Sequence, residues 1–227
     1  MLEVRKYYAP NRYLSTNRQQ SKNPNAAQSS QQAAKNQRYA IRRLWWLMCA
    51  NFKPFEDVFL TLTHSNEIQE TEARAEIKKF FERVRYHCQK DECPEVKHLL
   101  ILEKQGRWHH HVVMNNLPHK MLMSLWTCGR IKHYERLQGE ETFKELAKYL
   151  LSDDKPLKSQ RPKHKRRWSG SKNLEKPIIS IAEIDREKID RELPKAPEGY
   201  RLLPDWYIGC DSYGCLYQTY TCIRNNR

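Results

Sequence analysis

Three consecutive histidines, His109, His110 and His111, stand between Trp108 and the apolar run Val112-Val113-Met114. A strand sends alternate side chains to opposite faces, so His109 and His111 project together while His110 projects the other way with Val112. Upstream, Leu99-Leu100-Ile101-Leu102-Glu103 is a second apolar run, and the Gly-bearing break between the two predicts a β-hairpin. The parity of the turn decides the chemistry. A loop over 104–108 places Glu103 opposite His109, with its carboxylate on the imidazole face; a four-residue loop turns Glu103 away. With Glu103 in place, two histidines and a carboxylate form a half-shell for a divalent metal that leaves positions open for phosphate or water. Asp57, Glu67, Glu92 and Glu95 are the other carboxylates near these strands. Taken alone, three strand histidines are as readily surface or core residues as ligands.

The second reactive group is Tyr149. Residues 141–152 predict a helix whose apolar stripe is Phe143, Leu146, Ala147, Leu150 and Leu151, at i, i+3, i+4, i+7 and i+8. Tyr149 lies about 130° from the centre of that stripe on a wheel of 100° per residue, so its hydroxyl is presented outward. Glu145 and Asp153 stand one turn to either side and Lys148 is adjacent. A phenol is a modest nucleophile at neutral pH, but beside a metal it can attack a phosphodiester and store the bond energy as a phosphotyrosine.

These groups need a scaffold. Residues 29–50 predict a helix with Tyr39, Ile41, Leu44, Trp45, Leu47 and Met48 on an apolar side and Arg38, Arg42 and Arg43 on a basic one. After a break at Asn51-Phe52-Lys53-Pro54, residues 58–63 are a β-branched run suited to a buried strand. Residues 70–89 predict a helix with Ala73, Ile77, Phe80, Phe81 and Val84 inward, ended by Pro94. A short helix over 118–126 and a strand over 129–137 precede the tyrosine helix. The order βαββαβα predicts an α+β fold, a central antiparallel sheet with helices packed on one face. Residues 205–223, rich in Tyr and Gly, predict a closing hairpin.

The 227 residues carry a formal charge of +14, 41 basic against 27 acidic, with six Trp and twelve Tyr interleaved. That surplus favours a polyanionic partner, and the aromatics suit unpaired bases. Residues 155–176 concentrate the charge: Lys163, Lys165, Arg166, Arg167, Trp168 and Lys172 are candidate contacts to a DNA backbone. No apolar run reaches the roughly 20 residues of a membrane span, and no secretory core follows Met1. Seven scattered cysteines without CxxC suit reduced thiols in a cytoplasm; Cys88 and Cys93, with His87 and His98, form an alternative zinc set.

In order along the chain, Phe59-Leu60-Thr61-Leu62-Thr63, His109-His110-His111 with Val-Val-Met, and Glu145-Leu146-Ala147-Lys148-Tyr149 resemble the three motifs of the HUH endonucleases. Glu-x-x-Lys-Tyr is similar to one group of single-tyrosine rolling-circle replication initiators of plasmids, phages and related mobile elements. Ser169-Gly170-Ser171-Lys172-Asn173-Leu174 followed by Pro177 is similar to a segment after the tyrosine helix in such initiators. The resemblance covers roughly residues 30–180. It implies a ferredoxin-like nicking fold, Mg2+ or Mn2+ held by His109, His111 and Glu103, and Tyr149 joined to the 5′ phosphate at a single-stranded origin hairpin. Glu145 then activates water for the terminating cleavage. Two departures stand out: the middle histidine replaces a usually apolar residue, and Ser152 stands where the family commonly has lysine, leaving Lys148 or Lys155 for that role.

The expectation is therefore a cytoplasmic, metal-dependent, site-specific single-strand DNA endonuclease and strand transferase. A flexible polar arm spans 1–27, a nicking domain 28–180, and an extension 181–227 completes the sheet. No GxxxxGK[S/T] loop occurs, so duplex unwinding falls to a host helicase. Within the same chemistry the alternatives are a single-tyrosine transposase or a relaxase. From other classes they are a non-enzymatic nucleic-acid-binding module and a zinc-stabilised regulator.

Overall fold

Arg107–Met114 (β4) is paired along both edges, which explains why its last five residues are all buried. One neighbour is Val58–His64 (β2), the other His98–Gln105 (β3). Gly129–Arg136 (β5) adds to β2, and the two-residue strand Ser169–Gly170 (β6) adds to β3. The result is a five-stranded antiparallel sheet in the order β5-β2-β4-β3-β6. This is a computed structural model, and it describes residues 1–7, 30–91, 93–151, 168–182, 189, 193–210 and 216–225.

Between β3 and β4 the chain reverses at Gly106, whose φ of +69° is open to glycine at no steric cost. The strands run on to a Gln105–Arg107 pair, shorter than a loop over 104–108, yet the parity is the same and Glu103 faces His109. Gly129 serves a different need. A Cβ there would meet the Thr63 carbonyl, so only glycine lets β5 start this close to β2.

Four helices pack on the sheet: Ser30–Asn51 (α1), Glu70–Lys90 (α2), His119–Leu125 (α3) and Phe143–Leu151 (α4), the last entered through a 3-10 turn at Glu140–Thr142. In α2, Ile77, Phe80, Phe81, Val84 and Cys88 recur at helical spacing, and all join Val58, Leu60, Leu62, Val112 and Met114 in one buried cluster. Glu70 and Glu72 in the first turn and Lys90 in the last complement the helix dipole. The helices do not keep to one face as expected. Leu99, Ile101 and Val113 on the opposite face are also fully buried but lie outside that cluster. Among the described residues α1 and α4 are the helices left to cover them. They are tied by Gln37 donating to the Leu151 carbonyl and by Lys144 over the Trp45 ring. Apolar residues on both parities of β3 and β4 require both faces to be covered.

The chain divides into two units, Ala34–Pro177 and Met1–Ala33 with Ile178–Arg227. In the second, Leu216–Arg224 (β9) is the centre of a separate antiparallel sheet. Leu2–Tyr7 (β1) pairs along one edge; Tyr200–Leu202 (β7) and Tyr207–Cys210 (β8) share the other. Two expectations are corrected here. The polar start of the chain is not all arm, since Leu2–Tyr7 is a strand, and the tail does not complete the five-stranded sheet. Val4 opposite Tyr220 and Leu2 opposite Cys222 give the short N-terminal strand an apolar partner that composition averages concealed. The β8–β9 hairpin does follow the Tyr- and Gly-rich pattern.

Candidate phosphoryl-transfer site

Pairing of β2, β4 and β3 brings Thr63, His109 and Glu103 into one row across the sheet, with Thr61, His111 and Ile101 in the next. His111 donates from Nε2 to the Glu103 carboxylate at 2.8 Å, while its Nδ1 meets the Thr61 hydroxyl at 3.2 Å. His109 has the same arrangement one row along: Nδ1 lies 3.1 Å from the Thr63 hydroxyl, and Nε2 donates to the Gln105 carbonyl at 3.3 Å. A carbonyl can only accept, so the His109 proton sits on Nε2 and the threonine hydroxyl donates to Nδ1. Phe59, two residues before Thr61, stacks on the His111 ring at 5.9 Å and 11° between planes. Burial pushes the His109 imidazole below its usual range, and the charges of Lys132 and His111 act in the same direction. Lys132 on β5 is therefore an electrostatic neighbour of the site.

Tyr149 stands on α4 with its ring edge toward His111, 6.2 Å between centroids, and half its surface is open. Two residues remote in sequence thus share one face of the sheet, with the phenol accessible. One turn earlier Glu145 accepts from Lys148 at 2.6 Å; both are exposed. Lys148 is therefore engaged with the carboxylate expected to activate water. Lys163, Lys165, Arg166 and Arg167, like Ser152, Asp153 and Lys155, lie outside the described residues. Trp168 is half-buried at the start of β6, and Lys172 is exposed in the following turn. Around it the segment is fastened to the sheet: Ser171 hydrogen-bonds the His98 backbone and Asn173 donates to the Val96 carbonyl.

The other carboxylates have structural partners. Asp57 accepts from the backbone N–H groups of Lys53 and Asn116, and Glu67 pairs with Lys104. His98, considered with Cys88 and Cys93 for zinc, lies flat on Phe81 at 3.7 Å.

The donor set fits a divalent cation in its chemistry. Both Nδ1 atoms are held from the β2 side, so both Nε2 atoms face β3, where the Glu103 carboxylate is buried at 3% exposure. Hydrogen bonds to the other ring nitrogen are the usual means of orienting histidine ligands. Among the described residues no three His, Cys, Asp or Glu side chains are already gathered as a metal cluster. His109 would exchange the Gln105 carbonyl for the ion. Thr61 and Thr63 were missed as functional residues, although the signal was there: threonines two apart on a strand match histidines two apart once the strands pair.

Residues 57–154 match the family model of replication-associated proteins of the ORF2 type, a span holding β2 through α4 and every group of this site. The match supports a replication-initiator role for the chain. Neither a curated protein nor a solved structure matches it significantly. Among the described residues no helix is long and apolar enough to cross a membrane.

Proposed function

We propose that the chain is an HUH-type rolling-circle replication initiator that nicks single-stranded DNA at an origin hairpin and later rejoins it. The observation that carries this reading is the exposed Tyr149 phenol held edge-on to His111, on the face where His109 and Glu103 also lie. In the forward step the Tyr149 oxygen attacks the scissile phosphorus. The new Oη–P bond forms as the bond to the 3′ oxygen breaks; the phenol gives up a proton and the departing oxygen gains one. The product is a 5′-phosphotyrosine and a free 3′ hydroxyl, which reverses the exchange when strands are transferred. His109, His111 and Glu103 would hold Mg2+ or Mn2+, which when bound supplies positive charge to the non-bridging phosphate oxygens. Thr61 and Thr63 orient the imidazoles, and Phe59 fixes the His111 plane. Glu145, one turn from Tyr149, takes the proton of a water in the terminating cleavage. Lys163, Lys165, Arg166, Arg167, Trp168 and Lys172 contribute DNA contacts, and a host helicase opens the duplex.

The test is a denaturing gel of the chain with single strands tiled across the DNA element that encodes it, with and without Mn2+. We expect a metal-dependent covalent adduct that Tyr149→Phe abolishes while leaving DNA binding within about twofold. Binding to the tiles with no adduct on any of them would overturn the nickase and leave a binding module.

A further inference from the structure

Beyond the reacting groups, the same face of the sheet continues onto β5. The register gives Arg130 opposite Thr63 and His133 opposite Thr61, so both lie in the rows of His109 and His111. Between them the ladder slips at Thr61/Leu62, which leaves Lys132 as the extra residue of a β-bulge. A bulge turns two successive side chains toward one face. Ile131 and Tyr134 on either side pack against the buried cluster of the opposite face, so Lys132 and His133 both point to the site side. Arg130, Lys132 and His133 are all exposed.

We propose that this site-side face of β5, built by Arg130, Lys132 and His133, is the track that holds the phosphodiester backbone of the single strand beside the scissile phosphate. The proposal rests on the nickase reading and adds where the substrate lies. Three observations carry it. The first is distance: β5 is two strand spacings from β4, about 10 Å, which is one or two nucleotides from the histidines. The second is pitch, because Arg130 and Lys132 are two residues apart, about 6.6 Å along a strand, comparable with successive phosphates of an extended single strand. The third is charge. On α2, across the sheet, Arg74, Lys78 and Lys79 are paired with Glu70, Glu82 and Glu76. Arg130 and Lys132 form no ion pair with another described residue, and His133 meets Glu135 only at 3.6 Å.

The experiment measures binding of the full chain to dye-labelled single strands from the encoding element, and to oligo-dT, across a salt series. Each phosphate neutralised on a single strand contributes about 0.7 to the slope of log affinity against log salt. Arg130→Ala with Lys132→Ala should lower that slope by about 1.4 and weaken low-salt binding about tenfold or more, with unchanged thermal midpoint. Arg130→Lys with Lys132→Arg should restore both. A control pair of equal charge, Arg85→Ala with Lys120→Ala on α2 and α3, should change the slope by less than half as much. An unchanged slope in the β5 pair, or an equal loss in the control pair, overturns the track. Adduct formation by the wild-type chain, read in parallel, separates the two ideas. A slope loss without any adduct keeps the track and removes the nickase, and an adduct with an unchanged slope does the reverse.

Discussion

His109, His110 and His111 are chemically identical neighbours on one strand, and the two faces of the sheet put them to opposite uses. On the site face, His109 and His111 are bonded through both ring nitrogens, to threonine on one side and to Glu103 or a carbonyl on the other. On the core face, His110 is fully buried, its Nε2 2.9 Å from that of His64, with both rings edge-on to Trp126. Its Nδ1 has no hydrogen-bond partner. Burial first, and neighbouring charges next, push the His110 pKa down to about 3. A polar lattice with an open side can exchange protons and bind ions, whereas an imidazole sealed among apolar rings must stay neutral. The middle histidine thus packs where an apolar residue would also pack.

The comparison breaks most sharply under alanine substitution. His109→Ala or His111→Ala should lower adduct formation on the Mn2+ gel by at least about a thousandfold while moving the thermal midpoint little. His110→Ala should do the reverse, costing about 2–4 kcal/mol of unfolding free energy from the cavity and the orphaned His64 nitrogen. Adduct formation would persist below the lowered midpoint. Equal losses of activity and stability at all three positions would erase the distinction between the faces.

Acid sharpens the same contrast. His98 shares the fate of His110: buried against Phe81, its pKa is lowered from 6.5 to about 4. Below pH 6.5 the unfolded chain binds a proton that the folded chain refuses, so stability is complete above that value and declines as pH falls toward 4. At about 1.4 kcal/mol per pH unit, His98 alone accounts for about 3 kcal/mol. Urea unfolding between pH 7 and 4 should show the decline, and His98→Phe should flatten it.

A smaller effect concerns the threonines. Thr63→Val keeps the shape but removes the hydroxyl that holds His109 Nδ1, and Mn2+ affinity measured by calorimetry should fall about tenfold, with up to about 100-fold when Thr61→Val is added. No change in either variant would mean that the hydroxyls do not orient the ligands.

Much of this arrangement is written locally. Helical spacing from Ile77 to Val84 and from Phe143 to Leu151, the β-branched run before His64 and the strand alternation through His109 and His111 each depend on a few adjacent residues. Period and propensity suffice to read them. That Tyr149 lies off the apolar stripe of its helix is local in the same sense, and so is its exposure. The strand at Leu2–Tyr7 escaped that reading because its partner is more than 200 residues away and the segment has no periodicity strong enough to stand alone.

What the amino-acid order determined by itself was the kind of groups available and the face each would occupy on its own element: two histidines together, one apart, a tyrosine outward. Tertiary structure decided which faces meet. The turn at Gly106 placed Glu103 against the imidazoles, β2 supplied threonines at matching parity, α4 laid Tyr149 beside His111, and a bulge in β5 turned Lys132 to the same side. Each of those depends on a register between distant segments, where a slip of one residue exchanges the faces. No local preference encodes that choice; it follows from burying both sides of the sheet at once.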